Sequence, residues 1–125
     1  MQDQPSAIEL LQAVRSFIQD QAIPRLEGRA AFHARIAVNA LAIVERGLER
    51  GPAQDAAERE RLEALLGRPG GLDELNRELC RRIRAGELDL DTPGLAEHLR
   101  ETTLAKLAVD QPRYAAYRRA MEELE

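Results

Sequence analysis

Helical periodicity dominates this sequence, and no stretch shows the alternation that a β-strand requires. From Phe32 to Glu49 the apolar side chains recur every three or four residues, which is the spacing of one helix face. Aromatic residues make up only 3% of the chain, and no run of β-branched residues alternates with polar ones. The apolar content of 44% is sufficient for one continuous core in a chain of 125 residues. The sequence therefore predicts an all-α fold, a single-domain helical bundle.

Caps and helix breakers divide the chain into six predicted helices, after a flexible N-terminus at residues 1–5. Ser6 and Glu9 form a capping-box pattern at the first helix start, and Gly51-Pro52 predicts a stop in the middle of the chain. Thr92-Pro93 predicts another start, with the threonine as the cap. The expected helices cover residues 6–22, 29–50, 53–66, 72–85, 93–110 and 113–123. Connections this short predict one bundle over residues 1–125.

Charge and cysteine usage restrict the class of protein. The formal net charge is −4, whereas a general nucleic-acid binder usually shows a basic surplus. The single cysteine, Cys80, permits no internal disulfide, which is typical of a reducing compartment; its position beside an apolar stripe favours a small core residue. The apolar run from Ile36 to Val44 is shorter than the about 20 residues of a membrane span. We therefore expect a cytoplasmic protein that binds neither nucleic acid nor membrane.

Two polar residues in the most apolar predicted helix are candidate ligand-binding residues. On a helical wheel His33 lies in the middle of the apolar face, and Asn39 lies at its edge. A buried imidazole without hydrogen-bond partners costs about 1–3 kcal/mol. A structural histidine satisfied inside the core is one interpretation, and a polar cleft that binds a ligand is the other. The second histidine, His98, has no metal-ligand spacing with His33, and we predict neither a metal site nor a cofactor.

Lys106 and Asp110 are the other two candidate ligand-binding residues. They stand four residues apart on the predicted fifth helix, where such a pair is usually a weak surface interaction. They join His33 and Asn39 in one site if the second and fifth helices pack together, and they form a charged surface pair if those helices do not. A basic run at residues 81–84 is interpreted as a solvated face rather than a site for an acidic partner or a phosphate.

Four segments of the chain resemble a family of small bacterial proteins that carry a domain of unknown function. The segments are SAIELLQAVRSFI, FHARIAVNALAIVERGLE, LNRELCRRIRAGE and HLRETTLAKLAVDQPRY, and the resemblance runs from about Pro5 to Tyr117. Members of this family are often encoded beside acyl-CoA dehydrogenases and aminoglycoside-phosphotransferase-like kinases. The family has no assigned catalytic residues, so the resemblance assigns none to this chain.

These observations favour a non-catalytic accessory or interaction protein. The sequence has no phosphate-binding loop, nucleophile elbow, zinc signature or dinucleotide fingerprint, and the resemblance implies a kinase or an acyl-CoA dehydrogenase as the partner. An interaction protein exposes an apolar patch or forms an oligomer. The sequence is therefore also compatible with a homo-oligomer. The alternative is a protein that binds an acyl-CoA or a phosphorylated metabolite in a cleft around His33, with Lys106 facing the anion. An enzyme with His33 as general base is a third interpretation, without a recognisable second catalytic group.

Overall fold

The computed structural model describes residues 3–125 and contains five α-helices, with no β-strand in that range. The helices are α1 (Ala7–Phe17), α2 (Gly28–Leu66), α3 (Leu72–Arg84), α4 (Leu95–Asp110) and α5 (Ala115–Glu122). A π-helical turn, Ile18–Ala22, and a 3₁₀ turn, Ile23–Arg25, follow α1. The predicted all-α fold is confirmed, with five helices instead of about six. The flexible N-terminus expected at residues 1–5 lies partly outside the described range.

The chain divides into two compact units, and the boundary between Gly51 and Pro52 lies inside α2. The expected helix stop at this dipeptide is wrong, and the predicted second and third helices are one helix. Gly51 does not adopt the positive φ of a helix C-terminus. Because glycine has no Cβ, it also relieves part of the clash that a following proline imposes on a helix. The prediction of a single domain stays a prediction.

The first unit contains α1, the two turns and the N-terminal part of α2. Ser6 caps α1: its hydroxyl accepts a hydrogen bond from the Glu9 N–H at 3.2 Å, and its own N–H donates to the Glu9 carboxylate at 2.7 Å. The predicted capping box is therefore confirmed. Glu45 of α2 accepts hydrogen bonds from Gln12 and Arg15 of α1. These contacts show that the chain reverses direction between the two helices. The first unit is thus an antiparallel pair of helices.

Few side chains of the first unit are buried. Ala31, 5% exposed, is the one buried apolar residue among residues 3–51. Glu45 is also buried, and its carboxylate accepts hydrogen bonds from Gln12 Nε2 at 2.7 Å and from Arg15 Nε at 3.1 Å. Other large apolar side chains of both helices, such as Leu11 and Leu41, are half-buried. They therefore stabilise the pair less than fully buried side chains would.

The second unit contains the leucine core of the protein. Leu62 and Leu66 from α2, Leu75 and Leu79 from α3, and Leu95 from α4 form one buried cluster. Leu72 packs against this cluster from the same face of α3, whereas Ile83, the next apolar residue of that face, is 39% exposed. Burial of one leucine side chain stabilises a fold by about 1.5–3 kcal/mol. The cluster therefore holds the C-terminal part of α2 together with α3 and α4.

Two glycines in the left-handed backbone region set helix ends in the second unit. Gly67, with φ of 69°, follows the last residue of α2, so the helix stop lies here instead of at Gly51. Gly94, with φ of 87°, precedes α4, which begins two residues after the predicted start. The Thr92 hydroxyl accepts a hydrogen bond from the Asp89 N–H at 2.9 Å. Thr92 therefore orders the preceding loop, and its expected role as the helix cap is wrong.

Candidate functional site

The histidine predicted on the apolar face of α2 is exposed. The ring of His33 lies against the ring of Phe32, with the two centroids 5.8 Å apart. Asn39 is exposed on the same helix. The interpretation of His33 as a histidine satisfied inside the core is therefore wrong, and its interpretation as a cleft residue stays a prediction. The helical wheel identified an apolar face, but an apolar face is buried only where another element packs on it.

Lys106 and Asp110 are exposed on α4 in the second unit. Asp110 is the last residue of that helix. His33 and Asn39 belong to the first unit. A ligand site made of all four residues stays a prediction.

Exposed apolar side chains form a row along α2, on the face that carries His33. Phe32, Ile36, Ala40, Val44 and Leu48 recur every four residues, and we call these five residues the apolar row. The four large members are 46–59% exposed, and Ala40 is exposed between them. Single exposed apolar residues are common on protein surfaces, but contiguous ones mark interaction sites.

The first helix adds to this apolar surface. Leu10, Val14 and Phe17 are each at least half exposed on α1. The contacts of Glu45 with α1 fix the antiparallel register of the pair. In that register, with a rise of about 1.5 Å per residue, Leu10 and Val14 lie level with the C-terminal half of the apolar row. Both helices of the first unit therefore contribute to its exposed apolar surface.

A second apolar surface is the groove between α4 and α5 in the second unit, which we call the α4–α5 groove. Leu99, Leu104 and Leu107 of α4 line it together with Tyr114 and Tyr117, and its volume is about 480 Å³. Leu99 is 41% exposed and Tyr114 is 51% exposed. Tyrosine is enriched in protein–protein interfaces because it combines a large apolar area with a hydroxyl group. The composition of the groove therefore resembles the core of an interface.

Arg61 of α2 connects three polar side chains of α4. Its Nε donates a hydrogen bond to His98 Nδ1 at 3.4 Å, and its Nη2 donates to Thr102 Oγ1 at 3.3 Å. Its Nη1 lies 3.0 Å from Glu101 Oε2 in a salt bridge. His98 is only 3% exposed. The buried histidine of this protein is therefore His98 and not His33.

The environment of His98 favours its neutral form. Burial is the main cause that lowers the pKa of His98 below its usual range, and the positive charge of Arg61 is the second. The carboxylates of Glu58 and Glu101 act in the opposite direction. Since Nδ1 accepts the hydrogen bond from Arg61, the proton of the neutral ring lies on Nε2. With Nδ1 occupied, His98 is arranged to join α4 to α2 rather than to abstract a proton.

An open cleft of about 610 Å³ lies beside this network. Its charged lining consists of Glu60, Arg61, Glu97 and Glu101, and Arg61 is already paired with Glu101. Three carboxylates against one guanidinium give the cleft a negative charge. Such a cleft favours a cationic or neutral ligand over an anionic one.

In the basic run at residues 81–84, Arg81 and Arg84 are exposed, and Arg81 and the half-buried Arg82 are paired with carboxylates of the chain. Glu78 lies 2.9 Å from Arg81 and 2.8 Å from Arg82, and Glu87 lies 3.2 Å from Arg81. Hydrogen bonds from Arg81 and then Arg82 lower the pKa of Glu78 to about 2. These pairs favour the interpretation of the basic run as a solvated face over its interpretation as a site for an acidic partner or a phosphate. Cys80, expected in the core, is exposed on the same helix, so that expectation is wrong.

Arg61, His98 and the tyrosines of the α4–α5 groove are the site residues that sequence reasoning missed. A signal for His98 was available, because Leu95, His98 and Thr102 follow each other at the three- and four-residue spacing of one helix face. No comparable signal pointed to Arg61, which lies in a charged stretch far along the chain from its partners. Its role depends on the packing of α2 against α4.

Two other features are absent from residues 3–125. That range contains no group of three or more histidine, cysteine, aspartate or glutamate side chains placed to hold a metal ion. None of its helices combines the length and the apolar character needed to cross a membrane.

Comparisons with known proteins give a family but no function. No curated protein and no solved structure matched the chain. The family described as "Domain of unknown function (DUF6285)" matches residues 24–114. This range contains α2, α3 and α4, and with them the apolar row, the leucine core and the Arg61 network. The matched range covers most of the chain, which therefore belongs to the DUF6285 family.

Proposed function

We propose that this protein is a non-catalytic accessory protein that binds a partner protein through the α4–α5 groove. The observation that carries the proposal is the apolar lining of this groove, in which Leu99 and Tyr114 are exposed and Leu104, Leu107 and Tyr117 are half-buried. A groove between two helices accepts the apolar face of a third helix, which is a common mode of protein recognition. Arg100 lies at the same groove and supplies a polar contact of the kind enriched at interface hot spots.

The partner we propose is a phosphotransferase-like kinase or an acyl-CoA dehydrogenase. This part of the proposal rests on the resemblance described from the sequence, since such enzymes are often encoded beside the family. An accessory role also fits the arrangement of His98, whose Nδ1 is occupied by Arg61. The chain would then act by binding and positioning the enzyme, in a cytoplasmic complex.

Affinity purification of the tagged protein from its native cells, followed by mass spectrometry, tests this proposal. We expect near-stoichiometric recovery of one such enzyme with the wild-type chain, and at least about tenfold less recovery with Leu99→Glu, because a buried charge in an interface is costly. Leu90→Glu is the matched control, because Leu90 is 81% exposed in a loop outside the groove. Equal recovery with all three chains, or loss with Leu90→Glu as well, contradicts a role of the groove.

A second candidate function is the binding of a small ligand in the cleft beside Arg61 and His98. Its volume of about 610 Å³ lies within the range of about 300–1,000 Å³ for ligand pockets. The negative lining favours a cationic ligand over the acyl-CoA or phosphorylated ligand expected from the sequence. Thermal unfolding with coenzyme A thioesters and with polyamines separates these classes. Stabilisation by a polyamine that Glu97→Gln abolishes supports this candidate, and no stabilisation by either class contradicts it.

A further inference from the structure

The first unit has much exposed apolar surface, and its other large apolar side chains are at most half-buried. Ala31 is its one buried apolar residue within the described range, whereas the large side chains of the apolar row are about half exposed. Helices in proteins owe most of their stability to the packing of an apolar face. A helix pair of this composition therefore needs a partner surface for the row.

We propose that a second copy of this chain covers the apolar row, so that two first units pack as a four-helix arrangement. The row is a ridge of side chains spaced by four residues, and ridges of this type interdigitate when two helices cross at about −50°. A two-fold dimer brings the same surface of each copy together. Ala40 stands in the middle of the row, with larger side chains on both sides. The two Ala40 residues therefore mark the closest approach of the helices.

The exposed area is of the size that a stable dimer needs. Four side chains of the row and three of α1 are 46–62% exposed. Together they present on the order of 600–700 Å² of side-chain area, compared with about 800 Å² that each partner buries in a standard interface. Polar residues at the rim supply the remainder in such interfaces. The apolar surface of the first unit is thus sufficient for the centre of a dimer interface.

The charge of the first unit also permits self-association. Residues 1–51 carry six acidic and six basic side chains, so this unit has no formal net charge, whereas the whole chain carries −4. Two copies of a surface with a large net charge repel each other, and two copies of a neutral one do not. A second copy is therefore electrostatically acceptable at the first unit, and the excess negative charge lies in the other unit.

The molar mass of the purified protein in solution tests the proposal directly. Light scattering after size exclusion should give twice the chain mass of 14.0 kDa for the wild type. Ile36→Glu places a charge in the row and should raise the dimer dissociation constant at least about tenfold. Leu90→Glu, outside the row, should stay dimeric. A monomeric wild type, or an Ile36→Glu variant as dimeric as the wild type, overturns the proposal.

Cysteine cross-linking tests the geometry without placing a charge in the first unit. In a Cys80→Ser background, Ala40→Cys should form a disulfide-linked dimer on mild oxidation, because a disulfide requires Cα atoms within about 7 Å. Ala53→Cys is the matched control, since Ala53 is exposed on the same helix outside the row. Equal cross-linking of both variants, or none with Ala40→Cys, contradicts the arrangement. The α4–α5 groove is untouched in these variants, so their outcome is independent of the proposed partner protein.

Discussion

Replacement of Arg61 by alanine tests whether the contacts between α2 and α4 stabilise the second unit. The substitution removes the donor to the buried Nδ1 of His98, and a buried acceptor left unpaired costs about 1–3 kcal/mol. It also removes the salt bridge to Glu101, which is partly exposed and contributes about 0–1 kcal/mol. The aliphatic part of Arg61 adds a packing contribution.

The distances place the expected effect in the lower part of this range. The bonds from Arg61 to His98 and Thr102 measure 3.4 and 3.3 Å, longer than the about 2.9–3.0 Å of an average N–H donor bond. We therefore expect Arg61→Ala to lower the free energy of unfolding by about 1.5–2.5 kcal/mol. Arg61→Lys should recover less than half of the loss. A single ammonium group cannot contact His98, Thr102 and Glu101 at once, as the three nitrogens of the guanidinium do.

Urea unfolding at pH 7.5 measures this loss, with tyrosine fluorescence as the signal. Both tyrosines of the chain, Tyr114 and Tyr117, lie in the second unit and report on its unfolding. Arg59→Ala is the control, since Arg59 is an exposed arginine on the same helix. An Arg61→Ala variant within about 0.5 kcal/mol of the wild type, or an equal loss in the control, would refute the reasoning.

Three further predictions concern individual residues. Because burial lowers the pKa of His98, the unfolded chain binds a proton at a higher pH than the folded chain does. Stability should therefore fall from about pH 6.5 toward pH 5, by at most about 1.4 kcal/mol per pH unit. Urea unfolding across this range should show the decrease in the wild type and in His33→Gln, but not in His98→Gln. In urea unfolding, Leu62→Ala should lower the free energy of unfolding by about 2–5 kcal/mol, because Leu62 is fully buried. The control Leu90→Ala should lower it by less than about 0.5 kcal/mol. Similar losses in both variants would contradict the assigned core. In sedimentation equilibrium, His33→Leu should tighten the dimer, since a polar residue in an apolar interface lowers its stability, and an unchanged dissociation constant would place His33 outside the interface.

Features that depend on a few neighbouring residues could be predicted from the sequence. The capping box of Ser6 and Glu9 needs only the residues of one helical turn, and the structure contains it. The bounds of α3, Leu72–Arg84, also agree with the prediction, because its leucine spacing and the following Gly86 are both local signals. The interruption at Gly51-Pro52 was predicted by the same kind of signal and is absent. A propensity cost of a few kcal/mol, about 3 for proline, does not end a helix that good helix formers continue on both sides.

Burial of the two histidines could not be predicted in the same way. His98 is buried because Arg61, which is remote in the sequence, satisfies its ring nitrogen and α2 covers it. His33 has an equally apolar setting on its own helix, but no element of the first unit packs over it. Periodicity describes one helix at a time, whereas burial is a property of at least two elements. The four-residue ligand site expected around His33 required the second and fifth predicted helices to pack together. A helical wheel describes one helix and cannot predict which helices pack together.

The contrast between α3 and α2 shows what an apolar helix face does and does not establish. On α3 the leucine face packs on leucines of the same chain, and Leu75 and Leu79 belong to the core of the second unit. On α2 the predicted face is just as regular, with an apolar residue at every fourth position from Phe32 to Leu48, yet it is exposed. Removal of such a face from water is favourable in proportion to its area, so its regular spacing indicates a surface that a complementary helix covers. Among residues 3–51 no helix covers this face, and the second copy that we propose would supply one with the same spacing. The periodicity of α2 therefore identifies an apolar face, but it does not say which chain covers that face.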